Sequence, residues 1–144
     1  MDWEATYRQW AQLWREHKRE RAHALLADAR AGLRENERAD WEWLNAALAD
    51  EGRKWFVAAL FGRLPLPRRL LAAMIRAAVH EPDASHNRRF VEPCVATYGK
   101  ERVRLLLSEY VESGTEQEKR GAEKALYWLG VKVPGRGFLP QRRT

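Results

Sequence analysis

The stretch Lys54-Trp55-Phe56-Val57-Ala58-Ala59-Leu60-Phe61-Gly62 decides the architecture, because its pattern returns twice further along the chain. The second copy is Arg89-Phe90-Val91-Glu92-Pro93-Cys94-Val95-Ala96-Thr97-Tyr98-Gly99, and the third is Arg120-Gly121-Ala122-Glu123-Lys124-Ala125-Leu126-Tyr127-Trp128-Leu129-Gly130. Each is a basic residue, an apolar helical run and an aromatic close to a terminal glycine, and the glycines at 62, 99 and 130 lie 37 and 31 residues apart. Recurrence at that period predicts stacked helices. The first two copies are each followed by a second amphipathic stretch, over 67–80 and 100–113.

Outward from these copies, the punctuation is that of a helical chain. Leu64-Pro65-Leu66-Pro67 stops one helix and restarts the next with Pro67 in its first turn. Leu70, Leu71, Met74, Ile75, Ala78 and Val79 then form one apolar face, with Arg69, Arg76 and His80 opposite it. In the turn 81–85, Asp83 or Ser85 is expected to cap the following helix, inside which Pro93 removes a hydrogen bond and predicts a kink. Val103, Leu106, Leu107, Tyr110 and Val111 make the core face of its partner. Thr115 and Glu118 stand at capping-box spacing, and Gly130 ends the last helix.

Toward the N-terminus, Trp3, Tyr7, Trp10 and Trp14 follow spacings that put four large aromatics on one stripe of a helix. Apolar positions vanish through Arg15-Glu16-His17-Lys18-Arg19-Glu20-Arg21 and return at Ala22, Leu25, Leu26, Ala29 and Leu33. With no Pro or Gly in between, one long amphipathic helix over 1–36 is expected, its charge run solvated. Asp40 is read as the N-cap of a short helix to Ala49. Residues 131–144 carry Pro, Gly and Arg without periodicity and read as a basic flexible tail; its Gly135-Arg136-Gly137-Phe138 is a single Gly/Arg copy of the kind found in RNA-binding segments. Strand signals are absent.

Helix pairs at this spacing, with short turns and a Pro-bearing first helix, make residues 53–130 resemble HEAT or armadillo-type repeats. The first and third copies lack the Pro, and the helix before Gly52 has no repeat partner. The resemblance implies an all-α, two-layer helical-repeat solenoid fragment, with repeats over 37–130 and the aromatic N-terminal helix as a cap on the exposed end. It also implies a concave groove lined by the second helices, used mostly for proteins and sometimes for nucleic acid.

Composition bounds the function. At 144 residues, with 45% apolar residues and seven Trp, the chain can bury a core without metal or disulfide staples. A lone Cys94 and the start Met1-Asp2-Trp3-Glu4, which has no basic or apolar leader, favour the cytoplasm. Charges interrupt every apolar run, which excludes a helical membrane span. The net charge of +6 is uneven: residues 1–50 carry −2, 51–100 carry +5 and 101–144 carry +3. Such an excess is compatible with a polyanionic partner. An Arg- and Ala-rich composition accounts for it more simply, as solvated surface.

No chemistry emerges from the residue pattern. His17 with His23, and His80 with His86, sit six apart and share no helix face as metal ligands would. Cys94 lies in an apolar helix and reads as a small buried hydrophobe. Ser85-His86-Asn87 are adjacent, whereas triad members must point at one another. Glu16 and Glu20 stand among Arg15, Lys18, Arg19 and Arg21, the setting of surface ion pairs. The expectation is therefore a non-catalytic adaptor without cofactor or metal. It would bind a protein, or a second copy of itself, through the groove or through Trp3, Tyr7, Trp10 and Trp14. The alternative is binding of a nucleic-acid backbone by Arg69, Arg76 and His80, with Arg102 at the equivalent place in the next pair, a surface of the HEAT-like DNA-repair type.

Overall fold

The computed structural model describes residues 1–33, 37–62 and 64–130. They form eight α-helices and a closing 3-10 turn, with no strand among the described residues. Residues 131–144, including the Gly/Arg segment of the tail, lie outside them. The chain divides into two compact units between Leu64 and Pro65. Each has its own core.

The first unit holds α1 (Trp3–Arg15), α2 (Arg19–Ala31), α3 (Arg38–Ala47) and α4 (Arg53–Leu60). Asp2 caps α1 by accepting from the Ala5 amide at 3.0 Å, and Glu4 in the first turn complements the helix dipole. The single helix expected over 1–36 is two. At its end α1 winds into a left-handed cap: Lys18 N–H donates to the Leu13 carbonyl, His17 N–H donates to that of Trp14, and His17 takes φ 60°. The physical reason is packing. Every residue from 15 to 21 is exposed, so nothing buried holds the charge run helical, and the chain reverses to bury Ala22, Leu26 and Ala29.

Helix α4 packs on α1, α2 and α3, with Phe56, Val57 and Leu60 fully buried. Arg30 of α2 donates to the carbonyls of Leu60 and Ala59, satisfying groups that the end of α4 leaves open. Asp40 does not cap α3. The helix starts earlier, at Arg38, and Asp40 sits buried in its first turn, accepting from the Trp3 indole N–H at 2.7 Å. A long-range partner overrides the local capping preference.

The second unit, from Pro65 on, holds α5 (Arg68–His80), α6 (Arg88–Tyr98), α7 (Lys100–Ser113), α8 (Glu116–Leu126) and the 3-10 turn Tyr127–Leu129. Helix α5 packs on α6, α7 and α8 through Leu70, Leu71, Met74, Ile75, Ala78 and Val79, the face the sequence predicts. Gly99 alone joins α6 to α7 at φ 89°, a conformation that glycine adopts without steric cost. Thr115 and Glu118 close the expected capping box, and Gly130 ends the 3-10 turn in the left-handed region. Neither Asp83 nor Ser85 caps α6. Asn87 precedes that helix without a side-chain cap bond, and Asp83 instead accepts from the Ser85 amide at 2.8 Å to shape the turn.

The protein is thus all-α. The unit boundary separates α4 from α5, the two helices that the sequence pattern pairs as one repeat.

Candidate functional site

Three surfaces follow from the sequence: the aromatic stripe of α1, the basic face of α5 with Arg102, and a groove. Their geometry differs sharply.

The aromatic stripe belongs mostly to the core of the first unit. Trp3 and Trp10 are buried, and Tyr7 is half-buried. All three pack on Phe56, with ring centroids at 6.4 Å, 5.5 Å and 5.9 Å for Trp3, Trp10 and Tyr7 respectively. Trp43 stacks on Trp3 and meets Phe56 edge-on, so the residues that organise the stripe, Phe56 and Trp43, come from two other helices. Glu4 ties the same three helices together by accepting from Trp43 Nε1 and from both Nε and a terminal nitrogen of Arg53. Those Arg53 bonds, aided by Arg8, hold the Glu4 carboxyl down at about 2. Trp14 alone remains open, at 38% exposure; it stacks on Trp10, with the Arg19 guanidinium 5.0 Å from its ring centre.

The basic residues are exposed: Arg69, Arg76 and His80 on α5, and Arg102 on α7. The surface around them is mixed. His80 Nε2 lies 2.9 Å from Glu118 Oε2, and Glu109 and Glu118 share the neighbourhood of Arg76, since all three charges act on Tyr110.

The groove lies wholly within the second unit, between α5, α7 and α8. It has a volume of about 340 Å³ and a floor of Ala72, Ile75, Leu106 and Tyr110. Glu109, Ser113 and Glu118 form its polar side, with Gly114 at the turn between α7 and α8. Desolvation, then Glu118 and Glu109, raise the Tyr110 phenol above its ordinary range, against the opposing pull of Arg76. Glu118 is held low, first by the Thr115 amide and then by His80, so it faces the groove as a carboxylate. The resemblance implied a groove along the second helices, α5 and α7, but the sequence reading assigned Leu106 and Tyr110 to the core and did not place α8 beside them. The only local signal was Ala72 and Ala73, small residues between the two faces of α5, which leave room beside Ile75.

The remaining chemical candidates are structural. Cys94 is fully buried, its thiol pushed up to about 12 by desolvation, and it donates to the Phe90 carbonyl, as a packed helical Cys does. His86 pairs with Asp83, while Asn87 is buried and accepts from the Trp128 indole at 2.6 Å, so Ser85, His86 and Asn87 form no relay. No group of three or more potential metal ligands comes together among the described residues. No described helix is long and apolar enough to cross a membrane. No protein-family model, curated protein or solved structure matches this chain.

Proposed function

We propose that the chain is a non-catalytic protein-binding module that engages its partner through the groove between α5, α7 and α8. The supporting observation is the position of Ala72, Leu106 and Tyr110, apolar and aromatic groups that meet over the buried Ile75 at an open concavity beside carboxylates. Concave, mostly apolar sites with a few placed polar groups are where ligands dock. The alternative docking face, the α1 stripe, offers a partner little more than Trp14, because Trp3 and Trp10 are engaged in packing on Phe56. The helical-repeat reading finds its support in the α6–α7 hairpin and the α8 that follows it; α4 belongs with the helices before Leu64. The scattered acidic groups around Arg76 weigh against a nucleic-acid ridge, which needs a coherent positive surface.

Ala72 is exposed at the groove, so Ala72→Trp fills it without disturbing the core. Proteins cross-linked to wild type in its native cell extract should be lost selectively with Ala72→Trp and retained with a Trp14→Ser variant. Retention by Ala72→Trp would remove the groove from the account.

A further inference from the structure

We infer that the groove takes a partner segment in which a Lys or Arg neighbours a Leu- or Phe-sized side chain, the apolar group resting on Ala72 and Leu106 and the cation facing Glu109. The inference rests on the protein-binding reading and adds the chemistry of the partner. Three observations carry it. First, the groove lining contains two carboxylates, Glu109 and Glu118, and no basic residue. Second, the two carboxylates differ in commitment: Glu118 is held by the Thr115 amide and His80, while Glu109 makes no ion pair among the described residues. A carboxylate without a partner beside an apolar floor is complementary to a cation that carries an apolar stem, because Lys and Arg lay their methylenes along such a surface and keep the charged head at its edge. Third, the Tyr110 hydroxyl has no hydrogen-bond partner among the described residues, which leaves a donor and acceptor at the floor for the backbone of a bound segment.

Size and electrostatics narrow the occupant further. A volume of about 340 Å³ lies at the small end of ligand-sized clefts, enough for side chains of a segment and too little for a folded surface. Exposed ion pairs contribute little affinity, so the apolar contact holds the segment and Glu109 selects it. An acidic segment would meet Glu109 and Glu118 as like charges and be rejected. Arg76 and His80 stand outside the lining; His80 is taken up by Glu118, and Arg76 acts on Tyr110 against the two carboxylates.

Fluorescence polarisation of the full chain with three short labelled peptides tests this. One pairs Phe and Leu with Arg, one pairs Phe and Leu with Glu, and one pairs Ser with Arg. The apolar–basic peptide should bind about tenfold or more tighter than either other, because the Glu peptide exchanges attraction by Glu109 for repulsion by two carboxylates and the Ser peptide lacks the apolar contact. Glu109→Lys should remove most of that preference, Ala72→Trp should abolish binding, and raising salt should narrow the gap between the first two peptides. If the acidic peptide binds equally or better while Ala72→Trp still abolishes binding, the chemistry is overturned and the groove reading survives. If the Ser/Arg peptide equals the first and Ala72→Trp changes nothing, or if no peptide binds, both fall. Binding of the apolar–basic peptide only after removal of residues 131–144 overturns an external partner in favour of the chain's own basic segment.

Discussion

A Cβ placed on Gly121 would stand 1.8 Å from the carbonyl oxygen of Val79. Helix α8 therefore crosses α5 at a distance that only glycine permits, and the obstacle is backbone, which cannot rotate away. Gly121→Ala should destabilise the second unit by about 1–3 kcal/mol or more, the cost of overpacking a closed interface. Gly62→Ala, in the first unit, controls for the loss of a glycine as such, since its nearest atom would be 3.5 Å away, an ordinary contact. Chemical denaturation of both variants measures the difference; equal midpoints would show that α8 can shift without loss.

Two tryptophans on α1 make opposite predictions for the same substitution. The Trp3 indole N–H satisfies the buried Asp40 carboxylate, so Trp3→Phe should cost about 2–3 kcal/mol by leaving that group without its donor. The Trp10 Nε1 is buried with no hydrogen-bond partner among the described residues. Trp10→Phe removes an unsatisfied donor along with some packing, and the two effects offset to within about 1 kcal/mol. Urea denaturation of the pair checks this, and a larger loss at Trp10 than at Trp3 would contradict it.

Acid should weaken the first unit in a definite window. The Glu4 carboxyl protonates at about 2 in the folded chain against an ordinary 4.5. The unfolded chain takes up this proton first as pH falls, so the stabilisation is complete above 4.5, declines between the two values and is gone below about 2. The gap in denaturation midpoint between wild type and Glu4→Gln should therefore close as pH is lowered through that range. Added salt should shrink it at neutral pH, because Glu4 and Arg53 are each about a third exposed. A gap independent of pH would assign the effect of Glu4 to packing.

His17 occupies a position that favours glycine, at φ 60° in the cap that ends α1. A left-handed residue with a Cβ is strained by about 1–2 kcal/mol, part of which glycine returns as unfolded-state entropy. His17→Gly should accordingly raise stability by about 0.5–1 kcal/mol. His17→Val should lower it, and a thermal melt of the two variants that fails to separate them would dismiss the strain.

What the sequence made legible was local. The capping box at Thr115 and Glu118, the stops at Gly99, Gly114 and Gly130, and the buried face of α5 all depend on residues within a turn or two of each other. Legibility failed where a distant residue decides the outcome. Asp40 looks like a cap until Trp3, 37 residues away, claims its carboxylate. The break at His17 carries no Gly or Pro, because the left-handed cap there tolerates a strained residue in order to fold α2 back onto its neighbours. The copies of the recurrent pattern pack against different neighbours: α4 meets the aromatics of α1 through Phe56, and α6 packs on α5 and α7. A groove along the second helices was expected, but its lining was illegible, because Leu106 and Tyr110 have the spacing of core residues and Glu118 reaches it from α8.

Cys94 turns the second unit into its own stopwatch. It is the chain's sole thiol, fully buried, and its raised ionisation point leaves almost no thiolate while the fold is closed. A thiol-specific reagent can therefore react only during openings that release α6, and its rate at low reagent reports how often those occur. The first unit has no cysteine, so this clock runs on one half of the chain alone. Substitutions around Phe56 that leave the labelling rate of Cys94 unchanged would mean that the two units open independently.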